Sequence, residues 1–144
     1  MFRVNILAKV LQEIAMYSKK PYEQIGLLMG NLKDEELWIV DVVHGEGNSF
    51  SDSATMLSPS RIARVADDIL SGRIEGRIVG WYHSHIGSGI FMSDVDIETQ
   101  LRLQQFSPYV VGLVIDSLKN EFGIFVYDAL SGIVQIPRSH IRIV

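Results

Sequence analysis

The sequence predicts a single domain over residues 1–144 of the α/β (α+β) class: a sandwich with a mixed β-sheet flanked by about three helices. Three observations predict it. A chain of 144 residues with 47% hydrophobic content is long and apolar enough for one real core. Stretches with helical periodicity alternate with short apolar runs, in the order helix, two strands, helix, strand, helix, strands. No internal repeat, low-complexity tract or linker separates them.

Ile6, Leu7, Val10, Leu11 and Ile14 recur at helical spacing, so residues 5–18 read as an amphipathic helix ended by Lys19-Lys20-Pro21. Ile25–Gly30 is a short apolar run and reads as a buried strand. Leu37–Val43, rich in Val, Ile and Trp, reads as a second, with Asn31–Glu35 as the turn between them. Gly45–Ser53 is polar and glycine-containing and reads as a mobile loop. Ser58-Pro59 supplies an N-cap and a proline at the first helical position. Ile62, Val65, Ala66, Ile69 and Leu70 then form a buried stripe, and Gly72 a stop. A strand over Arg77–His83 follows, then a helix from Ser93 to about Gln105. Tyr109–Ile115 is the most continuously apolar run and reads as a central strand. Glu121–Tyr127 is its hairpin partner across Asp116–Asn120, and Ile133–Ile136 a last short strand.

Composition excludes several function classes. The absence of cysteine rules out disulfides, thiolate zinc sites and cysteine-protease chemistry, and it suits a reducing cytoplasm. No apolar run approaches the ~18 residues of a membrane span, so no membrane partner is expected. The first residues do not read as a signal peptide, because the segment after them is amphipathic and carries Lys9, Gln12 and Glu13. A net charge of −4 with no basic block argues against nucleic acid as a partner.

The chemistry concentrates in His83-Ser84-His85, with Asp96 after ten intervening residues. Residues i and i+2 of a strand point to one face, so both imidazoles aim the same way. Asp96 falls early in the next helix, and Gly87-Ser88-Gly89 can fold that helix back beside them. Two imidazoles and a carboxylate form the ligand set of a catalytic zinc site with one open position. Ser93-Asp94-Val95-Asp96 is equally a capped helix start, with Ser93 as N-cap and an acidic N3 facing back. The residues alone leave both readings open, and the two are compatible.

Taken together, Glu23-Gln24-Ile25-Gly26, His83-Ser84-His85 and Ser93-Asp94-Val95-Asp96 resemble the JAMM motif of the MPN-domain zinc metalloproteases. The resemblance covers essentially the whole chain. The segments Gly80–His85 and Val95–Gln100 are most similar to the deubiquitinating members of the proteasome lid, and the short, bare chain resembles a prokaryotic, archaeal relative. One position departs: the family usually has proline after the second histidine, and here it is Ile86. The resemblance implies an MPN-like fold, a Zn2+ ion on His83, His85 and Asp96 with water as fourth ligand, Glu23 as proton carrier, and Ser93 as oxyanion donor or simply as the cap. It implies a metallo-isopeptidase acting on ubiquitin or ubiquitin-like conjugates, with the proteasome as a further partner. Two alternatives stay open: C-terminal trimming of a sulfur-carrier ubiquitin-like protein, and a non-catalytic MPN scaffold. Scaffold members typically lack some of the ligands, and none is missing here.

His44, a lone histidine after the second strand, reads as a surface or hydrogen-bonded residue, and His140 has no acidic partner nearby in sequence; both are left out of the site. Trp81 shares the histidines' strand face and is expected to pack beneath them. Glycines 45, 47, 87 and 89 flank the candidate segments and give them freedom to move.

Overall fold

The computed structural model describes residues 3–45, 59–105, 107 and 109–144. Among these, eight strands and three α-helices build the domain: β1 (Arg3–Ile6), α1 (Ala8–Tyr17), β2 (Ile25–Lys33), β3 (Glu36–His44), α2 (Pro59–Leu70), β4 (Arg77–His85), α3 (Asp94–Gln104), β5 (Val111–Asp116), β6 (Glu121–Asp128), β7 (Gly132–Gln135) and β8 (Ile141–Ile143). The strands form one sheet in the order β7-β6-β5-β4-β2-β3-β1-β8. It is mixed: β1 runs parallel to β3 and β8, β4 runs parallel to β5, and the remaining pairs are antiparallel.

Alternation along each strand gives the sheet two apolar faces, and helices cover both. On one face Val10 and Ile14 of α1 pack with Val4, Ile6, Leu28, Ile39, Tyr82 and Leu113. On the other, Val65 of α2 and Leu103 of α3 pack with Leu27, Met29, Trp81 and Val114. The mixed sheet flanked by three helices is as the sequence predicts.

Four details differ from the sequence reading. The first helix does not begin at residue 5. Residues 3–6 form β1, inserted between β3 and β8, and the Leu7 N–H donates to the Ile39 carbonyl 3.1 Å away. Ile6 fits a helical stripe by spacing, but pairing on both sides satisfies its backbone as a strand. β2 continues to Lys33, past the expected start of the turn. Only Asp34 and Glu35 make the connection, at φ of 53° and 63°, the left-handed conformation that matches hairpin twist. The stripe on α2 is narrower than expected: Val65 faces the core and Leu70 is 87% exposed at the helix end, just before Gly72 stops the helix at φ 80°. Finally, β8 was not anticipated, because three residues carry no periodicity of their own. The proposed cap Ser58, and the Gly45–Ser53 loop beyond Gly45, lie outside the described residues.

Gly30 explains a local feature of β2. The pairing with β3 shifts register between Met29 and Gly30, and a Cβ at Gly30 would lie 1.6 Å from the Trp38 carbonyl oxygen. Only glycine permits that approach.

Candidate metal centre

Three elements bring the site together. β4 ends in His83-Ser84-His85, and the two imidazoles share one face, with ring centroids 5.2 Å apart and planes nearly perpendicular. Trp81, two residues earlier on that face, is 1% exposed, and its indole N–H donates to Gln100 Oε1 at 2.7 Å. It packs beneath His83, as expected, at a ring distance of 6.2 Å.

The third ligand comes from α3. Asp96, Thr99, Gln100 and Leu103 are its buried residues, spaced i, i+3, i+4 and i+7, so Asp96 lies on the stripe that faces the sheet. Gln100 anchors that stripe, its amide donating to the Val110 carbonyl at 2.7 Å. At the helix start both bonds of a capping box are made: Asp96 N–H donates to Ser93 Oγ at 3.2 Å, and Ser93 N–H donates to Asp96 Oδ2 at 3.0 Å.

The fourth participant arrives through backbone pairing. Ser84 points to the opposite face and is fully buried. Its Oγ accepts from the Gln24 N–H at 2.6 Å, and its own N–H donates to the Gln24 carbonyl at 2.9 Å. This register sets Glu23, just before β2, beside His83, with Oε1 at 3.3 Å from Nε2. Glu23 remains about half exposed, at 49% for its side chain, whereas His85 and Asp96 are each 2% exposed. The group is closed beneath and open on the Glu23 side.

Among the described residues, His83, His85 and Asp96 form a group whose ligand atoms all lie within 4.8 Å of one another. Asp96 Oδ1 is 2.7 Å from His83 Nδ1, and Oδ2 is 3.4 Å from His85 Nε2. His85 Nδ1 lies 2.8 Å from the Gly89 carbonyl, which can only accept. That bond fixes a proton on Nδ1 and leaves Nε2 facing Asp96, bearing a proton when the ring is cationic and an open lone pair once that proton is lost.

The electrostatics call for positive charge at the centre. Burial pushes the His83 pKa down, but hydrogen bonds and charges from Asp96 and Glu23 push it up more strongly, to about 9. His85 also rises, through its bond to Asp96 against burial. Burial raises the Asp96 pKa, yet the two histidines and the Ser93 N–H hold it well below the usual carboxylate range. A proton on buried imidazole occupies the place a divalent cation would take, and two imidazole nitrogens with a carboxylate suit zinc. The residues therefore fit the metal. The Glu23 pKa is lowered, chiefly by its hydrogen bond to His83; at 49% exposure, the opposing burial is too slight to raise it.

The residues left out of the site do lie elsewhere. His44 packs on the α1 face, stacked on Tyr17 at 3.8 Å, 2.7 Å from Tyr82 Oη and 3.0 Å from Glu13 Oε2. His140 lies in a 3-10 turn over Arg138–His140, outside the group. Sequence reasoning missed two contributors, the Gly89 carbonyl and the Gln24–Ser84 pair. A backbone acceptor leaves no side-chain signal, and Ser84 is legible only once β2 and β4 are known to pair.

This fold and this site define a member of the JAMM/MPN class. Residues 2–109 match the family described as JAB1/Mov34/MPN/PAD-1 ubiquitin protease, and the chain belongs to that family. Among its relatives is the 26S proteasome non-ATPase regulatory subunit 14 of Dictyostelium discoideum, 32% identical over 123 residues, covering 85% of this chain and 40% of that protein. Another is the ubiquitin carboxyl-terminal hydrolase RPN11 of Saccharomyces cerevisiae, 31% identical over 110 residues, covering 76% of this chain and 36% of that protein. The chain thus spans about two fifths of the length of the curated relatives it matches. The solution structure of protein DSY2949 from Desulfitobacterium hafniense shares the fold, with a TM-score of 0.69 at 20% identity, covering 98% of this chain and 92% of that one.

Proposed function

We propose that this chain is a zinc-dependent isopeptidase that removes ubiquitin or ubiquitin-like modifiers from lysine side chains of proteins. One observation carries the reading: His83, His85 and Asp96 converge within 4.8 Å at a site whose open side is occupied by the Glu23 carboxylate. Family membership and the ubiquitin carboxyl-terminal hydrolase among the relatives support the substrate class.

His83, His85 and Asp96 hold the metal. Zinc, when bound there, supplies Lewis acidity that lowers the pKa of a bound water toward ~7 and polarises a carbonyl. Glu23, half exposed and beside His83, accepts the proton of the attacking water and returns it to the leaving lysine amine. Ser93 stabilises the developing oxyanion. Its cap bond uses an oxygen lone pair, so the hydroxyl hydrogen stays free to donate. His85 is held in one tautomer by the Gly89 carbonyl, and Trp81 closes the floor against water.

The modifier's flexible tail reaches the site from the open side, and the relatives named as 26S proteasome subunits make that particle a partner to test. We place the protein in the cytoplasm, consistent with the absence of cysteine. No helix among the described residues is long and apolar enough to cross a membrane.

The test supplies, in parallel, ubiquitin-like conjugates joined through a C-terminal diglycine and a sulfur-carrier precursor with a C-terminal extension. Cleavage of the isopeptide bond, abolished by chelator and untouched by thiol reagents, is expected. Cleavage of the precursor alone would replace the substrate assignment. Cleavage of neither by zinc-loaded protein would leave a scaffold.

A further inference from the structure

The segment that leaves the metal centre, Ile86 to Gly89, is tied down by a residue outside the motif. Asp116, the last residue of β5, is fully buried and lies opposite His85 in the parallel pairing. Its carboxylate accepts four backbone N–H groups and makes no salt bridge among the described residues. Oδ1 takes those of Gly87, Leu118 and Lys119, each at 3.0 Å, and Oδ2 takes that of Gly89 at 2.7 Å. Two of the four donors belong to the turn after β5 and two to the turn after β4, so one carboxylate couples the two connections. The Ser117 N–H adds a bond to the His85 carbonyl at 3.1 Å.

The coupling has a direction. Gly89 gives its N–H to Asp116 and its carbonyl to His85 Nδ1. Gly87 and Gly89 sit at φ of 86° and 97°, a conformation that other residues adopt only with strain. A turn of this kind has no regular ladder to hold its carbonyls in place, so something else must orient Gly89. A buried carboxylate with four charge-assisted bonds is a strong hold, and a neutral amide has only one oxygen to offer in its place.

We propose that Asp116 is a positioning residue for the metal centre: by holding the Gly87 and Gly89 amides it aims the Gly89 carbonyl at His85 Nδ1, and so keeps His85 Nε2 free for the metal. This rests on the metal reading above, but the hold on His85 exists in the metal-free protein and is measured there.

The experiment compares wild type, Asp116→Asn and Ile14→Ala, the last a core cavity on the far face of the sheet that lowers stability without touching the site. In metal-free protein in mildly alkaline buffer, nitrogen NMR reads the His85 tautomer, and hydrogen exchange reads the Gly87 and Gly89 amides. Chelator competition then reads zinc affinity. In wild type a single Nδ1–H tautomer and slow exchange at both glycines are expected. In Asp116→Asn the tautomers mix, both amides exchange at least about tenfold faster, and zinc binding weakens by about 10–100-fold, the usual cost of losing an outer partner of a ligand. Ile14→Ala changes none of the three. Unaltered tautomer and exchange in Asp116→Asn would overturn the proposal, as would the same changes in Ile14→Ala. Should Asp116→Asn not fold, wild type still decides: fast exchange at Gly87 and Gly89 overturns the proposal, and slow exchange with one His85 tautomer upholds it. A wild-type protein that binds no zinc would overturn the metal reading alone.

Discussion

Ser93 and Asp96 are bound to each other twice, Asp96 N–H to Ser93 Oγ at 3.2 Å and Ser93 N–H to Asp96 Oδ2 at 3.0 Å. The same Oδ2 faces His85 Nε2 at 3.4 Å. The pair that starts α3 is therefore also the acidic corner of the histidine group. A helix start is a rigid mount, because the first turn's orphan N–H groups fix the carboxylate that caps them.

Ser93→Ala separates the two roles of the hydroxyl. Loss of the cap lowers stability by about 1 kcal/mol. Loss of an oxyanion donor raises the barrier by ~2.7–4 kcal/mol. Both effects are expected, in thermal melting and in turnover measured on the same preparation. A lower melting temperature with unchanged turnover would leave Ser93 as a cap only.

Protein purified without chelator should carry close to one zinc per chain by elemental analysis. His83→Ala and Asp96→Ala should each lose it, since either leaves only two of the three converging ligands. Full retention in both variants would place the metal elsewhere.

Glu23→Gln keeps the shape and removes the proton acceptor. Glu23 lies 3.3 Å from His83 but outside the group of three, so zinc content should stay near wild type. Turnover should fall by about 10²-fold or more. Near-normal turnover would exclude Glu23 from proton transfer.

His44 gives a pH signature on the opposite face. Burial lowers its pKa, partly offset by Glu13 and Asp41, while Lys20 adds to the lowering; the Tyr82 hydroxyl and the Tyr17 ring complete its surroundings. The unfolded chain, with an ordinary histidine near 6.5, then binds the proton more readily than the fold does. Its contribution is complete above 6.5 and declines as pH falls from there through the lower folded value. The melting-temperature gap between wild type and His44→Gln should therefore narrow on acidification from about pH 7.5 to 5. A gap that widens over that range would reverse the assignment.

Much of this protein was legible in its sequence, for physical reasons that can be named. Long periodic segments declared themselves: β4 and β5 by apolar runs, α3 by its cap, the β5–β6 hairpin by two apolar strands around a polar turn. The period of two along a strand placed His83 and His85 on one face before any tertiary contact was known. Local chemistry likewise made Ser93-Asp94-Val95-Asp96 a helix start, and the whole motif pointed to the family.

Only the tertiary structure decided the rest. β1 and β8 are strands because each finds a partner, not because three or four residues prefer extension; Ile6 fitted a helical stripe equally well until β3 and β8 satisfied its backbone. Glu23 lies 60 residues before His83 and meets it only because Gln24 pairs with Ser84 across β2 and β4. Asp116 read as one end of a turn, and its hold on Gly87 and Gly89 appeared only when β5 lay parallel beside β4. Local sequence sets which face a side chain takes and where an element begins. Which distant backbone it meets is set by long-range pairing, whose information is spread over the whole sheet.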